Sequence, residues 1–194
     1  DFARVVVLPP FNETRDRDAW KILWPHLLAG VASRGYAVVS QADVEAFYRR
    51  NNFQADPAEI QMYKHDEIAR EFGVDAVFYS NISKWSYKYV GVYSEFGCEA
   101  EFELVDGKTG ESLWKVTEAS VESSQVRGRS AADLILSLIG VAGNAFLSSN
   151  EAAARRTVDQ AIARLPLAGR NPENVETSGP SGESDTKAPL REDP

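Results

Sequence analysis

One cysteine, Cys98, and two histidines, His26 and His65, are all that 194 residues contain of the softer metal-ligating and nucleophilic side chains. A lone thiol closes no internal disulfide. It leaves the redox compartment open, because oxidising and reducing compartments both tolerate a single buried thiol. The histidines lie in separate helical stretches, neither with a second histidine or cysteine at helical spacing, so the three or four convergent ligands of a metal site are missing. Basic residues form no run longer than Arg49-Arg50 or Arg155-Arg156, and the net charge is −8, which argues against a broad nucleic-acid footprint. The most apolar stretch, 130–147, is shorter than the roughly twenty residues that cross a bilayer. No signal-peptide pattern and no internal repeat is read in these residues, and no set of them reads as a catalytic constellation.

What is present suffices for one core: 43% of the residues are apolar. They are concentrated in residues 1–167, which read as one domain. From 168 to 194 Gly, Pro, Ser, Glu and Asp dominate, with Val175 and Leu190 the only aliphatic residues beyond alanine. Such a tail does not offset its ordering entropy by burial.

Arg4-Val-Val-Val-Leu8, stopped by Pro9-Pro10, predicts a strand buried on both faces. A polar loop, Phe11 to Asp18, leads to a helix over 19–34 with Asp18 as its cap. Pro25 inside that helix either kinks it or restarts it, and Gly35 ends it. Tyr36–Ser40 is a second strand and Gln41–Arg50 a second helix, carrying Val44, Phe47 and Tyr48 on one face. Asp56-Pro57 predicts the start of a third helix that runs through Ile60, Met62, Tyr63, Ile68, Ala69 and Phe72 to Gly73. Residues 76–85 form a strand that loses its two-sided burial as it proceeds. Gly91 permits a hairpin. Glu99, Glu101 and Glu103 then alternate with Ala100, Phe102 and Leu104, the period of an antiparallel strand with one wet face. Asp106-Gly-Lys-Thr-Gly110 is a turn, and Ser112–Val126 the next strand. Helices follow over 130–147 and 151–165. Helices between the early strands and a meander of later ones give the fold class: α/β, a mixed parallel and antiparallel sheet flanked by helices.

The chemical readings of individual residues each meet a structural one. Cys98 as a nucleophile needs a base and an oxyanion hole, whereas its β-alternating run favours a buried thiol. Gly107-Lys-Thr-Gly110 lacks the spacing, and the following helix, of a phosphate loop. The stripe Glu99, Glu101, Glu103 performs acid–base work only if one carboxyl is desolvated; on a wet face it is solvated or meets a basic partner. Trp85, Tyr87 and Tyr89 share a strand face, either covered by a helix or exposed as an interface patch. The helix 130–147 is either a core helix or a docking helix that Gly140 and Gly143 let a partner approach. Asn12, Glu13, Thr14 and Arg15 follow the first strand, where open α/β sheets present their crevice, or else merely connect strand to helix.

Five blocks carry a resemblance: Val5-Val-Val-Leu-Pro-Pro-Phe-Asn-Glu-Thr14, Ala19-Trp20, Arg34-Gly-Tyr-Ala-Val-Val39, Phe72-Gly-Val-Asp-Ala-Val-Phe-Tyr-Ser-Asn-Ile-Ser-Lys-Trp85, and Leu104-Val-Asp-Gly-Lys-Thr-Gly-Glu-Ser-Leu-Trp114. In that order they resemble a family of bacterial envelope lipoproteins of unassigned function, over about residues 4–167. The resemblance implies a three-layer fold similar to the N-terminal domain of TolB, to the curli secretion lipoprotein CsgG and to the penicillin-binding-protein activator LpoB. It also implies export, tethering through a lipidated cysteine absent from this sequence, and a periplasmic location at the outer membrane. The expected role is non-enzymatic docking onto an envelope protein complex in assembly or transport, without cofactor, metal or nucleic acid. Its contact residues would be Asn12, Glu13, Thr14, Arg15, Trp85, Tyr87 and Tyr89. The alternatives are a homo-oligomeric secretion or export subunit and a small-molecule-binding domain.

Overall fold

A computed structural model of the chain describes residues 3–53, 58–90, 93–125 and 150–169. The Asp56-Pro57 helix start, the Gly91 turn, the helix expected over 130–147 and the tail from 170 lie outside the described residues.

The β-branched run at the start forms β1 (Arg4–Val7). After Pro9-Pro10 the chain resumes as β2 (Phe11–Asn12), and α1 (Ala19–Ser33) follows. Then come β3 (Ala37–Val38), α2 (Gln41–Arg50), α3 (Ala58–Gln61) and α4 (His65–Phe72). The meander is β4 (Ala76–Val90), β5 (Tyr93–Asp106) and β6 (Ser112–Gln125). A last helix, α5, spans 150–164.

These strands make one six-stranded sheet in the order β3-β1-β4-β5-β6, with β2 pairing to β4 beyond the end of β1. β1 pairs parallel with β3 and β4, and β4, β5 and β6 pair antiparallel. The mixed α/β sheet expected from the sequence is therefore the observed one. The β1-to-β3 crossover runs one way along the sheet and the β3-to-β4 crossover the other. Right-handed crossovers then put α1 on one face and α2–α4 on the opposite face. α5 joins α1: Ser120 Oγ of β6 donates to Ala153 O at 2.7 Å, and a Cβ on Gly30 of α1 would lie 2.7 Å from Ile162 Cγ1 of α5. Only glycine lets those two helices approach so closely.

Double coverage explains why Val5, Val6, Val7 and Leu8 are all fully buried despite pointing alternately up and down. Trp24 fixes α1 to the sheet by donating from Nε1 to Val7 O at 3.1 Å. Pro25 is exposed and α1 passes through it unbroken, so it neither ends nor restarts the helix.

Two expectations are corrected. Asp18 occupies the N-cap position of α1 but makes no capping hydrogen bond; its backbone is already α-like, and its carboxylate pairs with Lys21 at 2.6 Å. The helix expected to run through Met62 to Gly73 is two helices. Lys64 has extended backbone and its N–H donates to Glu67 Oε2 at 3.3 Å, restarting the helix as α4. Met62, assigned to the apolar face, falls in the break and is 84% exposed. Gly73 ends α4 at φ 60°, the left-handed conformation that glycine adopts without strain.

Candidate functional site

The end of β1 is where a crevice is expected, and the chain closes it. Proline has no N–H, so Pro9-Pro10 cannot donate to the neighbouring strand. Gln61 of α3 supplies the missing donor: its Nε2 donates to Pro9 O at 3.0 Å and to Ser80 O at 3.3 Å. Past the prolines, Phe11 and Asn12 pair with Asn81 and Ile82. β2 therefore fills the position of a ligand crevice.

The loop after β2 is organised by Asn12. Its Oδ1 accepts from Thr14 N at 3.0 Å and Thr14 Oγ1 at 2.7 Å, while its Nδ2 donates to Asp16 O at 2.6 Å. These are the side-chain-to-backbone bonds of an Asx turn. Glu13 N donates to Ile82 O at 3.1 Å, and Glu13 Oε1 accepts from Asn81 Nδ2 at 2.7 Å. Of the four residues singled out here, Asn12 and Thr14 direct their polar groups into the loop. Glu13 and Arg15 are the exposed ones.

The aromatic strand divides similarly. Trp85 is half-buried, edge-on to Phe96 with ring centroids 4.8 Å apart, and packs against the core. Tyr87 is 42% exposed. Tyr89 lies opposite Ser94 in the β4–β5 ladder, and its side chain lies outside the described residues.

Beside Gln61 the antiparallel half of the sheet presents an open groove of about 200 Å³ lined by Gln61, Tyr79, Ser80, Asn81, Glu101 and Glu103. It is shallow and polar, smaller than the roughly 300–1,000 Å³ of ordinary ligand pockets. Lys115, across the ladder, meets Glu101 at 2.8 Å and Glu103 at 3.4 Å. Glu99 accepts from Ser83 Oγ at 3.2 Å. The hydrogen bond to Glu101 is the main cause that raises the Lys115 pKa, with Glu103 adding to it. Burial, and then the Glu103 charge, push the Tyr79 hydroxyl up to about 12. A phenol held that firmly protonated is a poor general base at neutral pH.

The remaining chemical candidates are structural. Cys98 is buried in the face under α5, and burial pushes its thiol up to about 11, the reverse of an activated nucleophile. Asp106 organises the hairpin turn by accepting from Lys108 N at 2.7 Å and Thr109 N at 2.8 Å. The Gly-Lys-Thr-Gly segment thus joins two strands. Among the described residues no three His, Cys, Asp or Glu side chains are grouped to hold a metal ion, and no helix is long and apolar enough to cross a membrane.

Comparison with known proteins agrees with this architecture. The family model described as "Putative lipoprotein GNA1162-like" matches residues 2–180. A curated relative from Neisseria meningitidis serogroup B, "Putative lipoprotein NMB1124/NMB1162", is 29% identical over 123 residues, covering 63% of this chain and 56% of its own length. The chain thus spans a little over half of that relative. The crystal structure of Lipoprotein GNA1162 from Neisseria meningitidis aligns with a TM-score of 0.57 at 24% identity, over 76% of this chain and 99% of that one. That likeness extends to the fold.

Proposed function

The chain belongs to the GNA1162-like lipoprotein family, and from that premise we propose that it is a non-enzymatic module, membrane-tethered in the cell envelope, that docks onto an envelope protein complex. Residues 1–167 are the folded unit in this reading and 168–194 a polar tail. The native protein reaches the periplasmic side of the outer membrane through a lipid anchor, and its role is accessory to assembly or transport.

The observation that carries the reading is the uneven covering of the sheet. Its parallel half is sealed on both faces. Its antiparallel half keeps one face wet, with Glu101, Glu103 and Lys115 at the surface and the Asn12–Arg15 loop alongside. Among the described residues that face shows a shallow polar groove and no activated group, which suits surface contact better than chemistry. Of the proposed contact set Asn12, Glu13, Thr14, Arg15, Trp85, Tyr87 and Tyr89, Glu13 and Arg15 are exposed beside that face, and Tyr87, paired with Phe96, is exposed on the opposite one.

The test is crosslinking and affinity capture from native membranes with the lipidated full-length protein. An envelope protein recovered well above control, and lost when Glu13, Arg15 and Tyr87 are together replaced by alanine, is the expected result. Recovery of no envelope protein above control overturns the reading.

A further inference from the structure

The two edges of the sheet are unlike. β3 is a two-residue edge (Ala37–Val38), too short to template another strand. β6 is the other edge: fourteen residues, Ser112–Gln125, paired only to β5 among the described residues. It contains no proline or glycine, and its one register shift lies at its start, opposite Leu104 and Val105. Natural proteins blunt such edges with prolines, bulges, inward charges or short length. Here the inward charges are used otherwise. Glu118 pairs with Arg164 at 2.6 Å and Glu122 with Arg156 at 2.8 Å, both on α5. The outer-face residues Thr117, Ala119 and Val121 are small or β-branched and exposed, Val121 by 52%.

We propose that β6 pairs antiparallel with β6 of a second copy of this chain, about a twofold axis through Ala119, joining two six-stranded sheets into one. The occupant follows from the charges. In an antiparallel twofold pair both copies turn the same face up, so opposed residues share a face. Centring the pair on Glu118 sets that carboxylate against itself, and centring it on Ser120 sets Glu118 against Glu122; like charges directly opposed are destabilising. Centring on Ala119 opposes Thr117 to Val121, Lys115 to Ser123, Glu118 to Ser120 and Val116 to Glu122, with no like charges opposed. It also overlaps more of the strand than centring on Thr117 or Val121. The sequence of β6 is thus complementary to itself in one register. This pairing stands apart from the docking reading above, and either holds without the other.

The register makes the test specific. Light scattering on the full-length chain should give a two-chain mass that Ala119→Arg, which opposes two cations at the axis, converts to one-chain mass while circular dichroism stays unchanged. Ala119→Cys under mild oxidation should form a disulfide-linked dimer, since directly opposed Cβ atoms on paired strands come near disulfide distance. Lys115→Cys and Ser123→Cys should each fail alone and crosslink when mixed. Cys98, at 1% exposure, supplies no background. A one-chain mass for the wild type at the highest attainable concentration overturns the proposal. So does a ring-sized mass, or an Ala119→Cys crosslink no faster than that of Lys115→Cys alone.

Discussion

The parallel half of this sheet is built from short strands and the antiparallel half from long ones, and the two are put to different uses. In the parallel half α1 lies on one face and α2–α4 on the other, while α5 lies over β5 and β6 on the side of α1. After Arg4, β1 and the first residues of β4 are accordingly apolar: Val5, Val6, Val7, Ala76, Val77 and Phe78 are all fully buried. In the antiparallel half the described residues cover only one face. There Phe96, Cys98, Ala100, Phe102 and Leu104 point inward, and Glu99, Glu101 and Glu103 between them are partly exposed to water. A strand buried twice has no side chain left to offer a partner. A strand buried once keeps every second residue free for one. On the docking proposal the contrast gives stability to the first half and contact to the second, and substitutions in each should separate them.

The largest effect is expected at Phe78. It is fully buried, with ring centroids 6.4 Å from Phe102 and 6.0 Å from Trp114. Phe78→Ala removes that packing and opens a cavity, at a cost of about 3–5 kcal/mol. Lys84→Ala, at an exposed position of the same strand, should stay within about 0.5 kcal/mol of wild type. Urea unfolding of the two variants gives the difference directly. Costs of similar size at both positions would dissolve the contrast between the halves.

Gln61 stands at the seam, and a smaller effect is expected there. Gln61→Ala leaves Pro9 O and Ser80 O without their shared donor, a loss of about 1–3 kcal/mol. Hydrogen exchange should quicken at Glu13 N, whose bond to Ile82 O ties the loop to the sheet just beyond the seam. Gln61→Glu, which turns a carboxylate toward two carbonyls, should be worse than alanine. If both variants unfold at the wild-type urea concentration, the prolines are accommodated some other way.

Gln61 also marks the limit of what the sequence discloses. The strands and turns were legible because each carries a local signal: the β-branched run of β1, the two-residue alternation of β5, the Asp-Gly-Lys-Thr-Gly turn. β2 carries none. Phe11 and Asn12 are part of a polar loop until Asn81 and Ile82 are laid beside them, a contact seventy residues away in the chain. The break at Met62 is hidden for the opposite reason, because apolar residues continue through it with helical spacing. The candidate loop 12–15 was legible as a place. Which of its residues face outward was not, since that depends on the hydrogen bonds Asn12 makes after folding. The signal that would have pointed to Gln61 is the Pro9-Pro10 pair: two residues that cannot donate beside a strand imply a side chain that does.

The smallest effect is expected on the wet face itself, at Lys115. Its ammonium bridges Glu101 and Glu103, but its side chain is half exposed, and solvent screens such pairs to about 0.5 kcal/mol or less. The pKa of Lys115 is raised, first by its hydrogen bond to Glu101 and also by Glu103. A cation whose folded pKa lies above its unfolded value, about 10.4 for lysine, contributes its full stabilisation below that unfolded value. The contribution is lost as pH rises through the folded pKa. Lys115→Met should therefore be slightly less stable than wild type from neutral pH to about pH 9, and the gap should begin to narrow above about pH 10.4, the unfolded value, and close once the pH passes the raised folded pKa. Added salt should narrow the gap at any lower pH, because the charges are exposed. A gap of several kcal/mol, or one unchanged by salt and pH, would make the Glu101–Lys115–Glu103 ladder part of the framework. A gap near zero leaves those charges available to a partner, because the fold does not depend on where they point.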